Sequence, residues 1–598
     1  MKKGLAFLVI GVLFLLVCSG AFAVENKLSV PIMPLDQVKI GMRGTAYTVF
    51  QGVKPEPMGV EVLGILRNMA GPKGDVILVR LHGEKAEYTG VVAGMSGSPV
   101  YIDGKLVGAL AYRIGEFSKE PIGGVTPIQS MLEINELDQS SGTDSAQSTA
   151  AAQTPQRTSG VGQPSAALQP QQVYEYLKPI DTPLVFDGFS KETVQQFASQ
   201  FAAAGIVPVM GAGSSSDVKQ PEPIEPGSSV GAVLVRGDMD IAATCTVTYI
   251  DPQRLLACGH PLLNFGAVDM PMTKSTVLAT LPSPANAFKI ASTTEPIGAF
   301  VQDRHTGILG RFDKVPQMIP VTLNFHGISH PRSFHFEVLN NAKLTPVAMM
   351  ATVFNAIQGM NEYGEDTTFR VNGSINVAGY PKLVLDNMYA PMDGGNPTAA
   401  SIAMALGERF NRIFDNPYVR PEISGVELNV DLVRERRWAR LETARTDITE
   451  ARPGDEIVVE TVLRPYRGDR LVRQLPIKIP TSTPKGVLRI LVSDGDTLDR
   501  MRRFTPANLR RMDLNSTIAQ LNKEHANHRL YVSLLEANPQ AMVEDKVMPT
   551  LPLSVMNVMD GMRGTQDMVV VAESAVNEAS TPLDYVVSGA QIITINVR

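Results

Sequence analysis

A chain of 598 residues with 44% apolar side chains exceeds what one hydrophobic core organises, so several domains are expected and global disorder is excluded. Charged residues make up only 19%, and 54 basic against 60 acidic side chains leave a formal net charge of −6. That balance argues against nucleic acid as a partner, because neutralising phosphates takes a basic face. Fifty glycines and 42 prolines give a turn-rich composition that suits β architecture better than helical bundles.

Residues 1–23 read as a secretory signal. Lys2 and Lys3 form the charged start, Leu5 to Val17 the apolar stretch, and Ala21-Phe22-Ala23 the small-x-small cleavage site. The rival reading is a retained N-terminal membrane anchor, but the apolar run is short against the about 20 residues a span needs. Val17 before Cys18 is too bulky for a lipobox. The expectation is an exported protein, periplasmic or extracellular, with no stable membrane span after signal cleavage.

From 30 to 135 the pattern is short strands broken by glycines, such as Gly44 to Phe50, Val60 to Leu66 and Asp75 to Leu81. Residues 138–172 carry almost no large apolar side chain and are expected to be a disordered linker. A small helical segment with its own linker fills 173–229, with Ser190 as N-cap of a helix from Lys191 to Ala204. Between 230 and 345 β character returns, for example in Gly231 to Arg236 and Val321 to Phe325. Residues 346–420 mix helices near Thr345 to Gly359 and Thr398 to Phe414 with a strand or two. From 425 to 598, alternation in Val426 to Leu432 and Glu456 to Leu463 predicts a β-sandwich-like C-terminal region with some helix near 505–523. The pentapeptide Gly-Met-Arg-Gly-Thr at 41–45 and 561–565 reads as a recurrent turn.

If Cys18 leaves with the signal, Cys245 and Cys258 remain. The segment between them reads as two strands joined at Asp251-Pro252, a hairpin that brings the sulfurs near each other. A disulfide and two buried free thiols both fit.

The sharpest chemical feature is Gly94-Met95-Ser96-Gly97-Ser98-Pro99, followed by a strand, Asp103-Gly104 and a second strand. A serine between glycines in a tight turn suits a nucleophile: its hydroxyl is expected to be exposed, with backbone N–H groups free to face an oxyanion. The bland alternative is a glycine-rich surface turn. The hexapeptide resembles the Gly-Asp-Ser-Gly-Gly-Pro signature of trypsin-like peptidases, which makes Ser96 the nucleophile and the N–H groups of Gly94 and Ser96 the oxyanion hole. The general base is expected at His260, set between Gly259 and Pro261 just past a strand end. His326, His330 and His335 have no accompanying carboxylate or Cys pattern, so no metal and no cofactor are expected. His525 and His528 sit in a polar helical stretch and carry little signal.

The two segments together resemble the SpoIVB-type serine peptidases, the stage IV sporulation protein B family. Thr89 to Val100 with Asp103 to Ala109 is similar to that family's serine segment, and Thr246 to Pro252 with Leu256 to His260 to its histidine segment. Pro296 to Phe300 and Thr306 to Gly310 resemble a stretch that follows the histidine. In the family the histidine segment comes first, whereas here Ser96 precedes His260, which implies permuted halves. The peptide-binding PDZ module is not recognisable here. Where the family's serine segment carries an acid, this chain has His82; Asp303 follows His260 at a spacing compatible with a trypsin-like half and is the candidate third catalytic residue, with Asp269 nearer in sequence.

The expected fold is mostly β: a trypsin-like double β-barrel with halves at 30–135 (serine-bearing) and 230–345 (histidine-bearing), plus the C-terminal sandwich. The expected function is an exported serine endopeptidase acting on a protein or peptide substrate. The alternative is a non-catalytic envelope scaffold or binding protein built on a peptidase-like fold.

Overall fold

The computed structural model describes residues 30–598 apart from 115–119, 139–176, 203–205, 212–218, 284–286, 328, 361–363, 394, 503–511, 537–539, 544–545, 549–551, 561–567 and 572–573. The signal segment, nearly all of the 138–172 linker, the second Gly-Met-Arg-Gly-Thr and the start of the 505–523 helical piece lie outside the described residues.

The glycine-broken alternation of the first region becomes β1 (Arg43–Thr48), β2 (Glu56–Leu66), β3 (Val76–His82), β4 (Ser98–Ile102), β5 (Lys105–Ile114) and β6 (Ile122–Pro127). These pair in the order β4–β1–β2–β3–β6–β5, and β4 pairs again with β5, so the sheet closes into a six-stranded barrel. Closure leaves the ring without a free edge. Inward residues of the alternation, including Val60, Val62, Ile77, Val79 and Leu110, fill its interior. Asp103 (φ 49°) and Gly104 (φ 72°) both take left-handed backbone, the geometry of a two-residue hairpin turn that matches strand twist.

The chain then adds β7 (Leu177–Pro179) to the end of β5 and forms β8 (Thr182–Asp187), the helix Lys191–Ala202 and β9 (Ile206–Met210). Ser190 caps that helix through Thr193 N at 3.2 Å. A second ring follows: β10 (Ser229–Gly237), β11 (Asp240–Ile250), β12 (Arg254–Ala257), β13 (Gly266–Leu281), β14 (Phe288–Arg304) and β15 (Gly307–Arg311). Their order is β10–β13–β14–β15–β12–β11, closed by a β10–β11 pairing. The fold is thus mostly β, with a trypsin-like pair of barrels and the serine-bearing one first in the chain. The barrels meet along a dry seam in which Leu106, Ala109, Ile128 and Met131 pack with Tyr249, Leu256 and Leu309.

The second ring opens at both sides into a larger sheet. β8 and β9 extend it beyond β11, and β16 (Met318–His326), β17 (Arg332–Leu339), β18 (Thr368–Val377), β19 (Leu383–Tyr389) and β20 (Ile423–Val433) extend it beyond β10. The helices Thr345–Gln358 and Thr398–Phe414 share its core. Two expectations change here. Val426 to Leu432, expected to open the C-terminal sandwich, lies in β20 between β16 and β18. Its inward Val426, Leu428 and Val430 are buried in the core of the preceding region. Residues expected to be linker at 219–222 are tied down instead: Lys274 Nζ donates to the carbonyls of Gln220 (2.8 Å) and Glu222 (2.9 Å), and Glu295 accepts from Gln220 N (3.0 Å).

The C-terminal region is a β-sandwich. A four-stranded sheet including Trp438–Arg445 and Glu456–Pro465 faces a five-stranded one including Gly486–Ser493 and Ala590–Val597. Leu441, Val459 and Leu475 of one interleave with Leu488, Ile490 and Ile595 of the other in one core. No described helix is long and apolar enough to cross a membrane.

Candidate active site

Ser96 sits in the turn that feeds β4, pressed onto the second barrel. Gly94 (φ 93°) and Gly97 (φ 95°) hold left-handed backbone there. A Cβ on Gly97 would stand 1.9 Å from Thr246 O and 2.6 Å from Cys258 N, so only glycine lets the turn lie this close. Three of the turn's carbonyls are engaged by β11: Thr246 Oγ1 donates to Gly94 O (3.0 Å), Thr246 N to Ser96 O (2.7 Å) and Thr248 Oγ1 to Gly97 O (2.7 Å). Met95, Gly97 and Ser98 use their N–H groups on Val92, Leu110 and Met95 carbonyls. Among the described residues the N–H groups of Gly94 and Ser96 have no acceptor.

His260 follows β12, where Cys258 (φ 65°) and Gly259 (φ 71°) turn the chain sharply. Thr126 Oγ1 of the first barrel donates to Gly259 O at 2.6 Å. Cys245 and Cys258 form a disulfide that ties β11 to the residue two before His260. The imidazole Nδ1 lies 2.8 Å from Pro261 O; a carbonyl can only accept, which places the proton on Nδ1 and leaves Nε2 as a free base. Burial pushes the imidazole below its ordinary pKa, keeping it neutral.

Ser96 Oγ and His260 Nε2 are both buried and without a hydrogen-bond partner. The Ser96 hydroxyl is therefore not exposed, as the sequence had suggested; at 0% exposure it lies under the β11 contacts. The serine and histidine segments meet at one seam, but the two side chains are not bonded to each other.

Asp303 does not orient the imidazole. Its carboxylate accepts from the backbone N–H of Leu262 (2.7 Å), Leu263 (2.8 Å) and Phe265 (3.3 Å), and so shapes the loop that follows His260. Its oxygens are taken up by amides, so it acts through that loop and not as the third member of a triad. Burial lifts its carboxyl to about 6, against the opposing pull of those amides. Asp269 accepts from Gln317 N (3.0 Å), and His82 pairs with Glu61 (3.1 Å) on the first barrel.

Comparison with known families matches residues 18–132 to the SpoIVB peptidase S55 family. The serine-bearing barrel is thus similar to the SpoIVB peptidase S55 family. With it the chain is a serine-type peptidase, and a peptidase implies protein or peptide substrates. The match ends before His260, so the histidine's part rests on the geometry alone. Comparison with curated proteins and with solved structures gives no match.

Two residues near the site, Lys289 and Asp181, belong to none of the sequence motifs. Lys289, fully buried near the start of β14, lays its stem over Gly94 and points Nζ at Thr48 Oγ1, 2.7 Å away. The signal was there in Ala287, Lys289 and Ala291: all three are buried along a strand of period two, and a lysine on an inward face is anomalous. Asp181 stands close enough to His260 to favour the imidazolium, and is itself paired with Arg113. Nothing in sequence foretold it, because its placement depends on Ile180 pairing with Ala111 of the distant β5. Among the described residues no group of three His, Cys, Asp or Glu could hold a metal ion.

Proposed function

We propose that the chain is an exported serine endopeptidase whose nucleophile is Ser96 and whose general base is His260. What supports this is the packing of the serine turn against β11 and Cys258, two residues before His260, with Ser96 Oγ, His260 Nε2 and the N–H groups of Gly94 and Ser96 all unpartnered among the described residues. In the reaction Ser96 Oγ bonds to the substrate carbonyl carbon while His260 Nε2 takes its proton. The carbonyl oxygen becomes an oxyanion facing the N–H groups of Gly94 and Ser96. Collapse breaks the peptide C–N bond, the imidazolium gives its proton to the leaving amine, and water then cleaves the acyl-enzyme by the same steps reversed. Asp303 supports the process by fixing the 262–265 loop, and Asp181 favours the transient imidazolium.

A polypeptide reaches Ser96 only once the seam parts, since Thr246 and Thr248 cover the turn. The closed site accords with a narrow substrate range. Export is supported by the signal-like N-terminus and by a disulfide, which persists in an oxidising compartment.

Labelling with a fluorophosphonate tests the assignment. Wild-type protein should be phosphonylated at Ser96, and labelling should fall by about a thousandfold or more in Ser96→Ala and His260→Ala that remain folded. A folded wild-type protein that stays unlabelled at Ser96, including after mild denaturant loosens the seam, sinks the mechanism and favours the scaffold reading.

A further inference from the structure

The group that the mechanism leaves unused is the amine of Lys289. The start of β14 is laced to the serine turn by its backbone: Lys289 N donates to Ala93 O (3.0 Å) and Ala93 N to Ala287 O (2.8 Å). From there the side chain crosses Gly94 so closely that a Cβ on that glycine would meet Lys289 Cδ at 3.2 Å and Cβ and Cγ at 3.4 Å. The ammonium, two bonds beyond Cδ, finds one hydroxyl, Thr48 Oγ1, and both residues are buried. An apolar side chain would fill this space without the cost of desolvating a charge. Val49, Val277 and Ala291 supply just such surroundings close by.

Resting on the assignment of Ser96 as nucleophile, we infer that Lys289 is a positioning residue that holds the Gly94 side of the oxyanion pocket and lends it positive charge. Negative charge develops at the N–H groups of Gly94 and Ser96, in a region from which water is excluded, where a nearby cation acts strongly. The stem fixes the turn and the ammonium supplies the field.

Among the charges on the packed elements, Arg43 of β1 is exposed, Asp269 of β13 accepts from Gln317 N and Arg304 of β14 pairs with Asp138. Lys274 of β13 and Glu295 of β14 pair with each other (3.0 Å), Asp303 binds its loop, and β1 brings Thr48 and Tyr47. No carboxylate is bonded to the amine among the described residues. Burial alone brings Lys289 down to about 7. The charge is present below that pH and lost above it, so the pocket weakens as pH rises.

The experiment is the pH dependence of fluorophosphonate labelling at Ser96, read as rate against probe concentration. Wild type should show a falling limb near pH 7. Lys289→Met should label about tenfold more slowly at pH 6, with unchanged probe affinity and no falling limb. Thr48→Val, which keeps the lysine but removes its hydroxyl, should move that limb to lower pH. A merely structural role would leave the limb in place in Thr48→Val. Wild-type labelling with a pH profile that neither variant alters overturns the inference alone. Absence of Ser96 labelling in wild type overturns the nucleophile assignment, and the inference with it.

Discussion

Gly97 shows how little freedom the serine turn has. A methyl group there would fall 1.9 Å from Thr246 O, on a backbone at φ 95° that L-residues rarely adopt. Gly97→Ala is therefore expected to destabilise the protein by about 3 kcal/mol or more, through overpacking and strain together. Chemical denaturation measures it; a loss below ~1 kcal/mol would mean that the seam yields easily. At this scale the sequence was informative about kinds of residue. Ser96 and His260 stand out because glycines and a proline punctuate them. It was poor on partners: Asp303 turned out to serve amides, and the hydroxyl expected in solvent is capped by β11. Both results depend on chain segments far apart in sequence.

At the scale of elements, the β11–β12 hairpin does two things at once. Through Thr246 and Thr248 it clamps the serine turn, and through Cys258 and Gly259 it presents His260. The Cys245–Cys258 disulfide spans 13 residues, a loop length for which closure entropy contributes roughly 3 kcal/mol. Replacing both cysteines by alanine should lower the thermal midpoint accordingly and also slow Ser96 labelling, because the imidazole loses its anchor. A variant that melts earlier yet labels at the wild-type rate would show that the bond stabilises without positioning. Hairpins such as Asp103-Gly104 and the helix Thr398–Phe414 were legible because their signals are local. β20 was not, because alternation says that a strand has an inward face but not which sheet receives it.

For the whole molecule, the C-terminal sandwich covers what would be a free sheet edge. Asn522 and Asn527 bond the backbone of β19 at Val384 and Met388, and Glu524 pairs with Arg409 and Arg412. The same segment carries His525, which read as uninformative in sequence. Burial disfavours its charge, but hydrogen bonds to Asp499 (2.5 Å) and Glu578 (3.1 Å) prevail and hold it up at about 9. A folded pKa above the unfolded one means stability that is complete below about 6.5 and lost as pH rises through about 9. The expected loss is on the order of 1–2 kcal/mol after allowance for solvent screening. Hydrogen exchange of the β19 amides should quicken between pH 6.5 and 9.5 beyond the intrinsic rate, and His525→Gln should abolish that excess. Equal excess in both proteins would exclude His525 as its source.

The sequence by itself determined the β-rich composition, the turn chemistry and the two punctuated segments that hold Ser96 and His260, because each is written in residues close along the chain. It also carried the family resemblance, which the match over 18–132 bears out. Only the tertiary structure decided that Lys289 lies against Gly94, that Asp303 feeds a loop, and that the serine is sealed under Thr246 and Thr248. Those contacts join β1, the serine turn, β11 and β14, and such pairings are fixed by how two closed barrels pack, which no local pattern encodes.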